Sequence, residues 1–236
     1  MENSVTQTPM PLSRTLAVLL GFPIVSTLIS LLLLNRSVFS DLGLDFFSTF
    51  WVLITGWYSL QIFIISRILK SSGWGWKDIG YSFNKKRTGY FIAGYLVFAF
   101  ALLAFIEFAL AGVSNDPEKL KLLSDFSNLT PKTTTARVIF IFMALVAGLC
   151  EELVYRGFAI NALKSLKINK WLAILIAAIP FVFQHGLKSL DQFWWFFIWG
   201  IVFGVLFTFT KKLTINIVIH WLVILSALLA ILTVLK

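Results

Sequence analysis

Cysteine is nearly absent from this chain. Cys150 stands alone among 236 residues, so no intramolecular disulfide can form and no CxxC metal site exists. Charge is scarce too. Asp, Glu, Lys and Arg make up 13% of the chain, against about 25% in an ordinary soluble domain. Hydrophobic residues reach 58%, where about 45–50% is usual. A soluble fold of this length could not hide so much apolar surface, whereas lipid is itself the apolar phase. The sequence also lacks internal repeats, low-complexity tracts and the ~10-residue alternating segments of a transmembrane barrel. Its apolar runs are continuous. Backbone in lipid must satisfy its own hydrogen bonds, which leaves helices. The first apolar run is too long for a signal-peptide core and no small-residue cleavage site follows it, so it reads as a retained span.

What is present is a series of such runs. A span needs about 20 mostly apolar residues. The candidates are 15–34, 46–66, 90–112, 138–160, 171–187, 192–210 and 213–235. The expected fold is all-α, a polytopic transmembrane helix bundle of about seven spans. There are eight if the last run breaks near Ser226. The whole chain, 1–236, reads as a single integral membrane domain.

The formal charge of +9 does not indicate nucleic acid, because Lys and Arg cluster between apolar runs. Arg14, the group from Arg67 to Arg87, the group Lys164, Lys167 and Lys170, and the pair Lys211 and Lys212 all fall on one side. The smaller set, including Arg36, Lys119, Lys132 and Arg137, falls on the other. Basic loops face the cytoplasm, so the N-terminus is expected there. Short loops and the lack of a signal peptide suit a bacterial plasma membrane. The lipid bilayer is then the first partner.

Three charges interrupt the fourth run: Glu151, Glu152 and Arg156. Each costs about 2.5–3.5 kcal/mol at a helix centre, so such residues are paired or used. Glu152 and Arg156 are four apart, with the acid N-terminal, which is the favourable order for a helical ion pair. Glu151 points about 100° around the helix and has no such partner, which suits a general base. A buried salt bridge that fixes the bundle is the plainer alternative. The only two histidines, His185 and His220, also lie in apolar runs. Phe181 is four before His185, and Pro180 should loosen that helix. Asn216 is four before His220, where an amide could orient the ring, donate to a developing negative charge, or join two helices. Gly200 and Gly204 form a GxxxG, read as close helix packing.

The stretch Glu151-Glu152-Leu-Val-Tyr-Arg156 fits EExxxR, and Phe181-Val-Phe-Gln-His185 fits FxxxH. With a later intramembrane histidine at His220, the chain resembles the CPBP family of type II CAAX prenyl endopeptidases and Abi-type bacteriocin-immunity proteins. The resemblance covers about 137–225. It implies a helical membrane bundle whose motifs face one cavity. It also implies that Glu151 activates water with help from His185, that Glu152 and Arg156 support them, and that His220 stabilises an oxyanion. The family's third motif usually reads HxxxN or HxxxD. Here the fourth residue after His220 is Ile224, and Asn216, one turn the other way, is the candidate substitute.

The reaction so implied is hydrolysis of a peptide bond in a peptide or protein substrate at the membrane. Glu151, His185 and His220 could also supply three ligands to a divalent metal such as zinc, with an open fourth position. No HExxH pair exists, and a metal-free glutamate mechanism is preferred. One rival is a non-catalytic protein of the same fold that binds a bacteriocin or peptide, giving self-immunity. Another is a small transporter, which usually shows internal repeats. Depth raises a difficulty. At 1.5 Å per residue, Glu151 lies roughly 14 Å and His220 about 11 Å from the cytoplasmic ends of their spans, while His185 lies about 21 Å from Trp171.

Overall fold

The computed structural model describes residues 8–31, 37–82, 131 and 133–234, with positions 89, 90, 93 and 97. Among the described residues there is no strand. The helices are α1 (Leu12–Leu31), α2 (Ser37–Asp41), α3 (Phe46–Ser71) and α4 (Thr134–Glu151). The last of these continues without a break through a π-helix, Glu152–Ile160, into α5 (Asn161–Ser165). Then come α6 (Lys170–Gln184), α7 (Phe193–Thr210) and α8 (Leu213–Val234).

Local chemistry explains the starts. The side chains of Asp45, Thr133 and Asn169 accept from the backbone N–H of Ser48 (2.8 Å), Ala136 (3.1 Å) and Trp171 (2.9 Å). Each satisfies a donor that the first turn leaves unpaired. Among the described residues, four helices are long and apolar enough to cross a membrane: Leu12–Leu31, Phe46–Ser71, Thr134–Ser165 and Phe193–Thr210. Lys170–Gln184 is a shorter apolar helix, as is the Leu213–Ser226 part of α8. The expected third span, 90–112, lies outside the described residues apart from a few positions. The last run does not break at Ser226, because α8 continues to Val234.

Apolar side chains divide between core and lipid. On α1, Leu16, Leu20, Ile24 and Leu28 form an exposed stripe at helical spacing, while Val18, Leu19 and Phe22 are buried. The buried set forms one cluster, from Met10 on the N-terminal segment to Leu225 on α8. Close approach of α6 and α7 depends on the GxxxG pair. A Cβ on Gly200 would stand 3.0 Å from the Ala178 Cβ, and one on Gly204 would stand 2.7 Å from Ile174 Cγ2.

The basic segments gather at one end. Met10 N donates to Ser165 Oγ (2.9 Å), Trp74 Nε1 to the Thr8 carbonyl (2.8 Å) and Leu213 N to the Gly80 carbonyl (3.1 Å). Arg14 bonds the Ser72 hydroxyl there as well. At the opposite end, Leu187 N donates to Ser30 Oγ (3.2 Å).

This arrangement removes the difficulty over depth. The fourth span ends at Ser165 rather than Ile160, so Glu151 is fourteen residues from the basic end of its span and His185 fifteen from Lys170, where α6 begins. The helix α8 also starts inside the bundle. Gly157, two turns above Ser165, sits where an added Cβ would be 2.7 Å from Leu213 Cδ1. Seven residues of α8 therefore bring His220 to the level of Glu151.

Candidate active site

The acidic motif lies at the junction of two helical forms. Glu151 ends α4 and Glu152 opens the π-helix. A π-helix is rare and tends to mark functional sites. All nine of its residues are buried, Glu152 and Arg156 among them. Gly157 is required just after Arg156, because a Cβ there would meet Leu213 and, at 3.0 Å, the Ile79 carbonyl oxygen. The backbone around the acids is thus clamped by α8 on one side and the Trp76–Ile79 turn on the other.

The two carboxylates face different partners. Glu152 is fully buried. Its Oε1 lies 2.8 Å from His220 Nδ1 and 3.2 Å from Arg156 Nη1, and its Oε2 accepts from Asn216 Nδ2 at 3.0 Å. The Arg156 Nη1 contact is an ion pair without hydrogen-bond alignment. The rest of that guanidinium lies over the Phe181 ring at 4.1 Å and the Phe203 ring at 5.2 Å. Such stacking offsets part of the cost of burying an arginine. The second Asn216 amide hydrogen goes to the Phe203 carbonyl (2.8 Å), so both its donors are taken.

Glu151 faces the histidines. Its Oε1 is 3.7 Å from His185 Nε2 and its Oε2 is 3.4 Å from His220 Nε2. Oε1 also accepts a short hydrogen bond, 2.6 Å, from the Tyr58 hydroxyl of α3. Oε2 has no hydrogen-bond partner although it is buried. The carboxylate is therefore anchored through one oxygen and free to act through the other.

Each imidazole is fixed by its far nitrogen. His185 Nδ1 lies 3.0 Å from the Phe181 carbonyl, which can only accept, so the proton sits on Nδ1 and Nε2 presents a lone pair. The helix α6 ends at His185, and Gly186 adopts φ +78° to turn the chain away. The ring is stacked on Phe196 at 4.0 Å and meets Phe181 edge-on at 5.0 Å. His220 is stacked on Phe203 at 5.0 Å. The His185 side chain is 23% exposed, against 7% for His220 and 3% for Glu151. Access to the site therefore runs past His185.

All seven residues named from the sequence, Glu151, His185, His220, Glu152, Arg156, Asn216 and Phe181, come together in this one cluster. Ile224 is half-buried, and the His220 contact that fixes its ring is made by Glu152. Among the described residues, no group of three or more His, Cys, Asp or Glu side chains is arranged to hold a metal ion. Tyr58 was not among the residues picked from the sequence. A tyrosine in an apolar run reads as an interfacial ring, and the one available signal is that Tyr58 and Gln61 share a face of α3. Gln61, fully buried, accepts from the Cys150 thiol at 3.5 Å.

Residues 133–226 match the family model described as Type II CAAX prenyl endopeptidase Rce1-like. No curated protein and no solved structure matches the chain. The matched stretch holds Glu151, Glu152, Arg156, His185, Asn216 and His220, and excludes Tyr58. It is consistent with the CPBP resemblance and supports a family of CAAX-type intramembrane proteases.

Proposed function

We propose that this protein is an intramembrane endopeptidase that hydrolyses a peptide bond with water activated by Glu151. One observation carries the reading: a buried carboxylate with a free oxygen lies 3.4 and 3.7 Å from two histidine Nε2 atoms. Separations of this size suit a shared water. Water shared by the two groups donates one hydrogen to the free Oε2 of Glu151 and the other to His185 Nε2, which aims its oxygen at the scissile carbonyl carbon. Glu151 takes a proton as the C–O bond forms and returns it to the departing amine as the C–N bond breaks. The products are a carboxylic acid and an amine.

His220 donates to the oxyanion from Nε2 only when it is doubly protonated, because Nδ1 faces a carboxylate that can only accept. Asn216 and Arg156 hold Glu152, and Glu152 holds His220. The end bearing Lys77, Lys164 and Lys211 is the cytoplasmic one by the positive-inside rule, which puts the N-terminus in the cytoplasm. The substrate is a peptide or protein reached at the membrane.

The absence of a polar residue at Ile224 favours a second reading, a non-catalytic peptide binder on the same fold. One variant separates the two. Glu151→Gln keeps shape and burial but removes the base. With a quenched fluorescent prenylated peptide cleaved by wild-type protein in proteoliposomes, the variant is expected to lose at least 10²–10³-fold in rate. Wild-type turnover that survives in Glu151→Gln would remove Glu151 as the base, and wild-type protein that binds the peptide without cleaving it would remove the protease reading in favour of the binder.

A further inference from the structure

At the end of the bundle where the basic segments meet, a polar cleft of about 230 Å³ opens between the Trp76–Ile79 turn, α5 and the α7–α8 junction. Lys77, Lys164 and Lys211 line it, each from a different element. The one acid in the wall, Asp78, is already engaged, its Oδ2 accepting from Gly75 N at 2.6 Å. Asn161 and Thr208, also in the wall, donate to carbonyls of their own helices, Gly157 (2.7 Å) and Gly204 (2.8 Å). Among the described residues none of the three lysines forms an ion pair. Lys164 is close enough to Lys211 and Lys170 to be repelled by both.

The backbone holds this crowding in place. Lys211 is fixed in the left-handed region, φ +53°, with its N–H on the Phe207 carbonyl at 2.7 Å. Gly80 has φ +79°, and a Cβ there would be 2.7 Å from the Phe207 ring. Like charges gathered by a rigid frame are stabilised by an anion. The depth of the cleft is marked independently. Phe209, next to Thr208, is 72% exposed and packs edge-on to Trp171, with ring centroids 6.3 Å apart, and Lys170 Nζ lies 5.0 Å over the Trp171 ring. Exposed rings edged by cations belong at the membrane–water interface, the depth of lipid phosphates.

We propose that this cleft binds the phosphate of an anionic phospholipid headgroup in the adjoining leaflet. A phosphate there bridges the Trp76–Ile79 turn to α5 and the start of α8. It thereby ties the N-terminal helices to those that carry the acidic motif and His220. Each surface lysine contributes about five-fold to such binding.

The test is native mass spectrometry of the full-length protein in detergent, titrated with phosphatidylglycerol or phosphatidylcholine. The wild type should retain phosphatidylglycerol selectively. Retention should fall about five-fold in each of Lys77→Gln, Lys164→Gln and Lys211→Gln, and be unchanged in Arg67→Gln/Lys70→Gln, which removes two charges from a separate groove on α3. Equal loss in both sets would overturn the site in favour of diffuse surface charge. Inorganic phosphate alone binding as tightly as the lipid would overturn the lipid as its source. The single variants alter exposed or half-buried side chains and leave the core intact, so the comparison does not depend on a variant that fails to fold.

Discussion

Among single residues, Tyr58 stands out because it reaches the site from outside the matched stretch. Its hydroxyl donates to the same oxygen of Glu151 that lies nearer His185, which leaves the other oxygen free. A hydrogen bond to a charged group contributes about 1.5–3 kcal/mol. Tyr58→Phe removes only the hydroxyl. Peptide cleavage is expected to slow by about 10-fold or more, mainly in kcat, while the purified protein unfolds at nearly the wild-type temperature. A fall in KM affinity with kcat intact would instead make Tyr58 a substrate contact. Glu152 works differently. It is fully buried and held by Arg156, Asn216 and His220, so under the proposed mechanism it orients a histidine. The adjacent acids, identical in type and one position apart, thus have separate partners because they leave the helix in different directions.

At the scale of elements, the contact between α6 and α7 sets where His185 stands. Gly204 and Gly200 face Ile174 and Ala178, four residues apart on each helix. Gly204→Ala brings a methyl to 2.7 Å from Ile174 Cγ2. Overpacking of this kind costs about 1–3 kcal/mol, read as a lower unfolding midpoint in detergent. Adding Ile174→Ala should recover part of that loss, since the two changes share one contact. The glycine pair, the acidic motif and the histidines were all legible in the sequence, because charge or absent side chains stand out against an apolar run. Three features were not. Tyr58 is amphipathic and looks like any interfacial ring. The π-helix follows no local pattern, although α8 and the Trp76–Ile79 turn lie against its Gly157. The start of α8 below the surface follows from the bond of Leu213 to Gly80, so simple counting from span ends misjudged the depth of His220.

For the whole molecule, the site belongs to no single half of the chain. The acids and histidines lie on α4 to α8, while the anchor of Glu151 comes from α3, and the buried cluster runs from Met10 to Leu225. A fragment beginning at Pro131 keeps the whole matched stretch but lacks α1 and α3. It is expected to show no cleavage of the reporter peptide, and co-expression with residues 1–130 should restore part of it; full activity in the fragment alone would show the N-terminal helices to be dispensable. The position of His220 on α8 also has a bearing on biogenesis. Chains are synthesised at about 5–20 residues per second, so the segment bearing Glu151 leaves the ribosome several seconds before α8. During that interval Glu152 can pair with Arg156 but has neither His220 nor Asn216. Under the proposed mechanism, a nascent chain therefore holds Glu151 and Glu152 in an unfinished setting until α8 has been synthesised.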